Sequence, residues 1–161
     1  MFIPKLTPFN VVAAVIGSYG DAGIGGLLRD ETGRICMQFS KSIVVTDPTS
    51  AELRSILEAC ALFSSSRWRR SHSLIIETDN LLATKWIQCP ANSPHCFRDF
   101  VNKIISKGSD FEWKIAFVYR EGNEAAHRLA NQVVLEGVIG YLMQRYSVGD
   151  GVKVTGLHFS W

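Results

Sequence analysis

Two short stretches interleave cations with an indole ring, a combination suited to phosphates and stacked bases. They are Arg67-Trp68-Arg69-Arg70 and Lys85-Trp86. In the alternative interpretation, arginines that follow a helix complement its C-terminal dipole, and Trp68 packs on the core. A net charge of +2 is too small to indicate a nucleic-acid partner by itself. We therefore favour the structural interpretation and regard these residues as a weak nucleic-acid-binding set.

Two further clusters have the composition of ligand sites but lack the spacing. Cys89, His95 and Cys96 lie close together, yet no second ligand pair stands at the spacing of a zinc site. The chain has four irregularly spaced cysteines, which we expect to be reduced thiols. The glycine-rich stretch 22–33 lacks the Gly-Lys-Ser/Thr ending of a phosphate loop and leads into another strand-like run. Its glycines are therefore assigned to turns and close strand packing.

The elements that must position any site begin with Phe9 to Ile16, an almost wholly apolar run rich in β-branched residues. Such a run, closed by glycine, predicts a strand buried on both faces in the middle of a sheet. It contains no carboxylate. Two strand-like runs follow, and Asp30 to Gly33 is typical of the hairpin connection between them. The first part of the chain is thus predicted to be a meander of three antiparallel strands.

Helices and strands alternate in the rest of the chain. Residues 46–52 contain N-cap residues and a proline suited to the first helical turn, which predicts a helix ending near 64–66. Asn123 is predicted to cap a last helix that runs to about Tyr146. The fold class is α/β, a mixed five-stranded sheet with helices on its faces. Further strands are predicted over 73–79 and 112–119, the latter with Trp113, Ile115, Phe117 and Tyr119 on one face, and further helices over 80–87 and about 96–106.

Length and composition set the broad class. The chain has 161 residues, of which 47% are hydrophobic and 20% charged, as expected for one soluble globular domain spanning 1–161. No apolar run reaches the length of about eighteen residues that spans a bilayer, and residues 1–7 lack the pattern of a presequence. A soluble intracellular protein is expected, and the cytoplasm cannot be distinguished from the nucleus.

Five blocks of residues stand in order along the chain. They are 9–11, 22–30, Ala51-Glu52-Leu53, Glu77-Thr78-Asp79 and the run Arg120-Glu121-Gly122-Asn123-Glu124-Ala125-Ala126-His127-Arg128-Leu129-Ala130. Together they resemble the type 1 ribonuclease H domain, and the closest resemblance is to the plant branch, which is related to the ribonuclease H domains of non-LTR retroelements. The resemblance spans roughly 9–134 and implies the ribonuclease H-like fold. It leaves 135–161 as a C-terminal helix extension and tail.

The family's chemistry is hydrolysis of RNA in an RNA/DNA hybrid by two divalent metal ions, usually magnesium, held by four carboxylates. By resemblance, two of these carboxylates are Glu52 and Asp79. The other two positions hold Val12, on the central strand, and His127, on the last helix. Valine cannot coordinate a metal, and imidazole is a poor partner for magnesium. We therefore predict that the two-metal site does not assemble and expect no cofactor, except that Glu52 and Asp79 could hold one weak cation.

His127 has two interpretations. It is either a histidine on the helix surface, or an imidazolium that lies against Asp79 or Glu52 and supplies part of the charge that the metals would have brought. The second interpretation requires His127 to be within hydrogen-bonding reach of one carboxylate.

The function predicted from the sequence is a ribonuclease H-like domain that has lost nuclease activity and acts as a binding module. A protein partner is expected to bind the C-terminal helix and tail, because Val152 to Trp161 alternates like a strand and ends in an aromatic residue. Residual binding of an RNA/DNA hybrid and homo-oligomerisation stay open, and no membrane is expected. The alternative is an active endoribonuclease that uses Mg²⁺ or Mn²⁺ at a rearranged site.

Overall fold

Strands and helices alternate in the computed structural model, which describes residues 5–15, 20–139 and 153–154. The strands are β1 (Lys5–Val15), β2 (Gly20–Arg29), β3 (Ile35–Thr46), β4 (His72–Thr78), β5 (Trp113–Phe117) and β6 (Lys153–Val154). The α-helices are α1 (Pro48–Ser64), α2 (Leu81–Gln88), α3 (Arg98–Gly108) and α4 (Glu124–Ile139). Short 3-10 turns lie at Arg67–Arg70, Pro90–Asn92, His95–Phe97 and Arg120–Asn123.

These strands form one mixed sheet in the order β5-β4-β1-β2-β3-β6. β1 is central, antiparallel to β2 and parallel to β4, and β2 pairs antiparallel with β3, which confirms the predicted meander. The sequence predicted five strands for the sheet, whereas the described structure has six. Lys153 and Val154 from the C-terminal tail pair in parallel with Gln38 and Phe39 of β3. The remainder of the predicted tail strand and of the last helix beyond Ile139 lies outside the described residues.

The β2–β3 connection is the predicted hairpin turn. The Asp30 carboxylate accepts hydrogen bonds from the backbone N–H groups of Thr32 and Arg34, at 2.9 and 3.0 Å. Gly33 has φ +83°, a left-handed conformation that glycine adopts without steric cost. The turn residues therefore determine where β2 ends and β3 begins.

Large apolar side chains fill the face of the sheet covered by α1, α2 and α3. The α1 helix begins where predicted, because the Asp47 carboxylate accepts from the Ser50 N–H and Pro48 occupies the first turn. Its buried side packs on the central strands. The fully buried large side chains of this core are Phe9, Val11, Ile24, Leu28, Leu53, Ile56, Phe63, Leu74, Ile76, Val101 and Ile104.

Small residues bring α4 against the opposite face of the sheet. A Cβ atom on Gly25 would lie 2.9 Å from the Ala130 backbone N and 3.0 Å from the Ala126 carbonyl oxygen. Successive residues of a strand face opposite sides, and the next residue, Gly26, faces the rings of Phe9 and Phe39 in the other core. Glycine at position 25 therefore permits α4 to approach the backbone of β2 directly.

The edge strand β5 is shorter than predicted. It ends at Phe117, and the expected shared face is only partly covered, since Ile115 is buried whereas Phe117 and Tyr119 are 36% and 76% exposed. The two exposed rings contact each other edge-to-face with centroids 5.4 Å apart. The alternation was recognised correctly, but the ladder with β4 ends at the pair of Thr78 and Phe117, so Tyr119 lies beyond the paired part of the sheet. Separately, the described part of the chain has no helix with both the length and the hydropathy needed to cross a membrane.

Candidate functional site

The site lies where β1 extends past the end of β4. The β1–β4 ladder stops at the pair of Val11 and Thr78, so the next backbone groups of β1 take side chains as partners. The Ala13 N–H donates to Glu52 Oε1 at 2.8 Å, and the Val11 carbonyl accepts from Asn123 Nδ2 at 2.6 Å. Val12 stands between these two residues and pairs with Gly25 of β2. The central-strand position highlighted by the sequence is therefore in the middle of this site.

Glu52 points from α1 towards that strand end and is 7% exposed. Its second oxygen, Oε2, accepts from the Thr78 hydroxyl at 3.3 Å. Burial raises the pKa of Glu52 from 4.5 to about 8, and the neighbouring Asp79 acts in the same direction, while the hydrogen bonds from Ala13 and Thr78 oppose the rise. With that pKa, Glu52 is largely a neutral carboxylic acid at pH 7.

Asp79 follows the last residue of β4 and is paired with His127 of α4. The distance from His127 Nε2 to Asp79 Oδ2 is 2.7 Å, and the two side chains are only 13% and 15% exposed. The predicted contact between His127 and a carboxylate is confirmed, with Asp79 as the partner, and a histidine on the helix surface is not what the structure contains. The placement follows from the packing of α4, since Ala126, next to His127, touches β2 at Gly25.

These side chains face one open cleft of about 550 Å³ at the strand ends. The sequence motifs contained Arg120 but gave it no role, and they did not point to Asn131 at all. Arg120 is exposed, and within the described residues it forms no ion pair or hydrogen bond. The cleft is lined by Ala13, Ala14, Pro48, Glu52, Asp79, Asn80, Leu81, Leu82, Arg120, His127 and Asn131.

Asn123 has a different role from the predicted helix cap. It is 1% exposed and lies in the 3-10 turn directly before α4. Its Nδ2 donates to the Val11 carbonyl across 112 residues of sequence, and its Oδ1 has no hydrogen-bond partner in the described structure. The Asn123 side chain therefore does not form the predicted helix cap. Its amide binds the Val11 carbonyl of β1 instead. Asn123 fastens the start of α4 to the central strand.

No metal centre is assembled by the residues that the structure describes, among which no group of three or more His, Cys, Asp and Glu side chains could hold an ion. Cys89 and Cys96 are exposed free thiols, and His95 lies beside them in the 3-10 turn His95–Phe97. Glu52 and Asp79 converge on the cleft from α1 and β4, but each carboxyl group is engaged by protein donors.

The weak nucleic-acid set predicted from Arg67, Arg69, Arg70, Lys85 and Trp86 does not join this cleft. Arg67–Arg70 follow the C-terminal end of α1 and precede β4, whereas Glu52 is in the first part of α1. The helix from Glu52 to Ser64 rises about 18 Å, so the arginines lie at the far end of the sheet.

The indole rings of Trp86 and of Trp68, which lies between Arg67 and Arg69, both pack against other side chains of the protein. Trp68 is partly buried against the core and carries the Arg67 guanidinium over its ring at 5.0 Å, as the structural interpretation predicts. Trp86 is 9% exposed and stacks on Phe97 with centroids 5.3 Å apart. Trp86 is thus a core residue, contrary to the suggested stacking platform, while Lys85 is exposed beside it.

The geometry is that of a type 1 ribonuclease H fold. The RNase H1 of the halophilic archaeon Halobacterium salinarum NRC-1 is 21% identical, with a TM-score of 0.75 over 83% of this chain and 99% of that chain. LC11-RNase H1, isolated from compost and solved in complex with an RNA/DNA hybrid, is 19% identical, with a TM-score of 0.76 over 82% and 99%. The N-terminal RNase H domain of a Mycobacterium tuberculosis protein is 16% identical, with a TM-score of 0.73 over 85% and 99%. At these identities the similarity shows the fold alone.

A comparison of the sequence with protein families assigns the chain to one of them. Residues 10–133 match the family described as reverse transcriptase-like, and because this match covers well over half of the chain, the protein belongs to that family. No curated protein matches the sequence.

Proposed function

We propose that this domain is a ribonuclease H-like binding module that does not hydrolyse RNA. The observation that carries the proposal is the 2.7 Å contact between His127 Nε2 and Asp79 Oδ2. In the resemblance to the type 1 ribonuclease H domain, Asp79 is a metal ligand and position 127 supplies another. Here the imidazole contacts one oxygen of the Asp79 carboxylate, so the histidine at position 127 both removes one expected ligand and engages a second.

Glu52 supports the same conclusion from the other side of the cleft. Its carboxyl group is buried, accepts from Ala13 and Thr78, and has a pKa raised to about 8 by burial. Both oxygens of the carboxyl group already accept hydrogen bonds from the protein, so a divalent cation would have to displace these donors to bind there. Val12 contributes no ligand atom at the fourth position. The donor set therefore does not fit a pair of divalent ions.

The size of the electrostatic deficit supports the proposal. A divalent cation about 4 Å from one carboxylate gains on the order of 8 kcal/mol at an effective dielectric constant near 20, before desolvation. Two of the four expected carboxylates are absent, one is paired with His127, and one accepts hydrogen bonds from Ala13 and Thr78. The greater part of the attraction for two dications is lost, and the active endoribonuclease is the less favoured alternative.

We propose a nucleic acid as the ligand of the module. LC11-RNase H1, and a foamy viral protease-reverse transcriptase that matches this fold over 20% of its chain, were solved with RNA/DNA hybrids. The cleft also presents Arg120, a cation without a partner among the described residues. A protein partner at the C-terminal tail, and with it a homo-oligomer, stays a prediction. The described part of the tail, Lys153–Val154, pairs with the chain's own β3.

A cleavage assay tests the loss of activity. Wild-type protein, Glu52→Gln, and the double variant Val12→Asp/His127→Asp are incubated with an RNA/DNA hybrid and Mg²⁺ or Mn²⁺. We expect no cleavage by the wild type, and cleavage by the double variant, which restores four carboxylates. Metal-dependent turnover by the wild type that Glu52→Gln abolishes would overturn the proposal in favour of a rearranged active site.

A further inference from the structure

We propose that the cleft binds a phosphate oxyanion directly, without bridging metal ions, through the Arg120 guanidinium and the side-chain amides of Asn80 and Asn131. All three residues line the cleft that also contains Asp79 and His127. The inference rests on the proposed function, because a cleft filled by two metal ions would present phosphate oxygens to those ions. It names the part of a ligand that this site recognises.

The first step concerns the negative groups that would repel an anion. Asp79 is paired with His127 at 2.7 Å and only 15% of its side chain is exposed. Glu52 is 7% exposed, and both of its oxygens accept hydrogen bonds from the protein. The two acidic groups of the cleft are thus largely withdrawn from a ligand in solution.

The second step concerns the groups that remain available to a ligand. Arg120 is exposed and has no partner within the described residues. A guanidinium offers a planar fork of N–H donors that matches two phosphate oxygens.

The third step concerns the neutral donors. Asn80 lines the cleft and accepts the Ala83 N–H through Oδ1, which leaves the N–H groups of its amide available as donors. Asn131 follows His127 by one helical turn on α4, so the two side chains project from the same face of the helix. Asn131 is exposed and lines the cleft. One cation and two amides therefore surround the open volume.

The backbone adds a favourable field but is not the basis of the proposal. α2 begins at Leu81 in the cleft and has no acidic residue in its first turn. The first N–H groups of a helix lack intrahelical acceptors and lie at the positive end of its dipole. An oxyanion in the cleft is stabilised by this end of α2 as well as by Arg120.

Binding measured in EDTA tests the inference. Inorganic phosphate and, separately, a fluorescent RNA/DNA hybrid are titrated into the wild type, Arg120→Gln and Arg120→Lys, with backbone and side-chain amide resonances followed by NMR. We expect phosphate to shift the resonances of Leu81, Leu82 and Asn131 in the wild type. Arg120→Gln should abolish the shifts and weaken hybrid binding about tenfold or more, as for loss of a charged hydrogen bond, whereas Arg120→Lys should retain part of both.

Arg34→Gln is the matched control, because it removes the same charge from an exposed arginine in the β2–β3 turn, at the opposite end of β2 from the cleft. It should leave the phosphate shifts intact and change hybrid affinity less than twofold. Shifts from phosphate without binding of the hybrid would support the oxyanion site and assign it to a free phosphate compound. Equal loss in Arg34→Gln and Arg120→Gln, a requirement for Mg²⁺, or absence of any phosphate shift would overturn the inference.

The failures of the two proposals are distinguishable. Cleavage of the hybrid by the wild type in Mg²⁺ contradicts the proposed function. A wild type that neither cleaves in Mg²⁺ nor binds phosphate in EDTA contradicts only the oxyanion site. Circular dichroism of the variants checks that the exposed substitutions leave the fold unchanged.

Discussion

The two faces of the sheet are packed in opposite ways, and each contributes one titratable side chain to the cleft. The face under α1, α2 and α3 is filled with large apolar residues and carries Glu52, whereas the face under α4 relies on Gly25, Ala126 and Ala130 and carries His127. Large side chains bury the most apolar area and therefore dominate stability. Small residues fix the distance between helix and strand, and hence the position of a group on that helix. The four predictions below test this division.

The largest effect is expected on the face with the large side chains. Phe63 is completely buried and packs edge-to-face on Phe111. Phe63→Ala should lower the free energy of unfolding by about 3 to 5 kcal/mol, measured by urea denaturation. The NMR signals of the His127 imidazole should stay in place, because α4 does not rest on this residue. A loss below about 1 kcal/mol would show that this core is not the main source of stability.

The pH dependence of stability should come from Glu52. The pKa of Glu52 is raised to about 8 by burial, so between pH 5 and 8 the folded state binds more protons than the unfolded chain, and stability falls as the pH rises. The fall attributable to Glu52 is on the order of 2 to 4 kcal/mol over this range. Glu52→Gln mimics the protonated form and should remove that part of the slope in denaturation curves measured at successive pH values. An unchanged slope would mean that Glu52 is ionised in the folded state.

The coupling energy between His127 of α4 and Asp79 should be larger than that of a pair on the surface. A double-mutant cycle with His127→Gln and Asp79→Asn should give a coupling energy of about 1.5 to 3 kcal/mol, as for a hydrogen bond to a charged group. The control is the pair of Arg128 and Glu124, whose charged atoms are 2.8 Å apart and whose side chains are 77% and 67% exposed. That pair should couple by only about 0.3 to 0.5 kcal/mol. Equal coupling energies would contradict the view that the cleft shelters the His127 pair.

The smallest change in the free energy of unfolding is expected at Gly25, where a substitution should mainly move His127. Gly25→Ala places a Cβ atom 2.9 Å from the Ala130 backbone, so α4 must shift at a cost of about 1 to 3 kcal/mol. The His127 imidazole signals should move with it. Gly122→Ala is the control, because its Cβ would meet only Val118 at 4.0 Å, and it should change neither stability nor the His127 signals appreciably. A Gly25→Ala variant with unmoved His127 signals would separate helix packing from site geometry.

Local signals in the sequence were sufficient for most of the fold. Asp47 and Pro48 marked the start of α1, Asp30 to Gly33 marked the hairpin, and the ordered blocks indicated the ribonuclease H-like arrangement. The helix start and the hairpin depend on contacts between residues near each other in the chain, where residue type restricts the backbone directly, whereas the ordered blocks worked through resemblance to a known family. The short pairing of β6 with β3 could not be foreseen in the same way, because an alternating run does not specify which edge it joins.

The site was only partly predictable for a related reason. The hypothesis that His127 lies against a carboxylate followed from the charge left at the aligned positions, and the structure selects Asp79. The bond from Asn123 to Val11 joins residues far apart in sequence, and the sequence offered only the helix cap as a partner. Trp86 was misjudged because its neighbour Lys85 suggested a surface, whereas α2 turns the indole inward onto Phe97.

The pairing of Lys153 and Val154 with the middle of β3 affects association between copies of the protein through the edge of the sheet. An uncovered outer strand is a template on which another molecule can add its own strand, the usual beginning of ordered aggregation. With Gln38 and Phe39 already engaged, an incoming strand cannot run along the full length of β3 without first displacing this segment. The segment Lys153–Val154 thus covers part of the sheet edge and leaves less of β3 available to a strand from another copy, whatever the cleft binds.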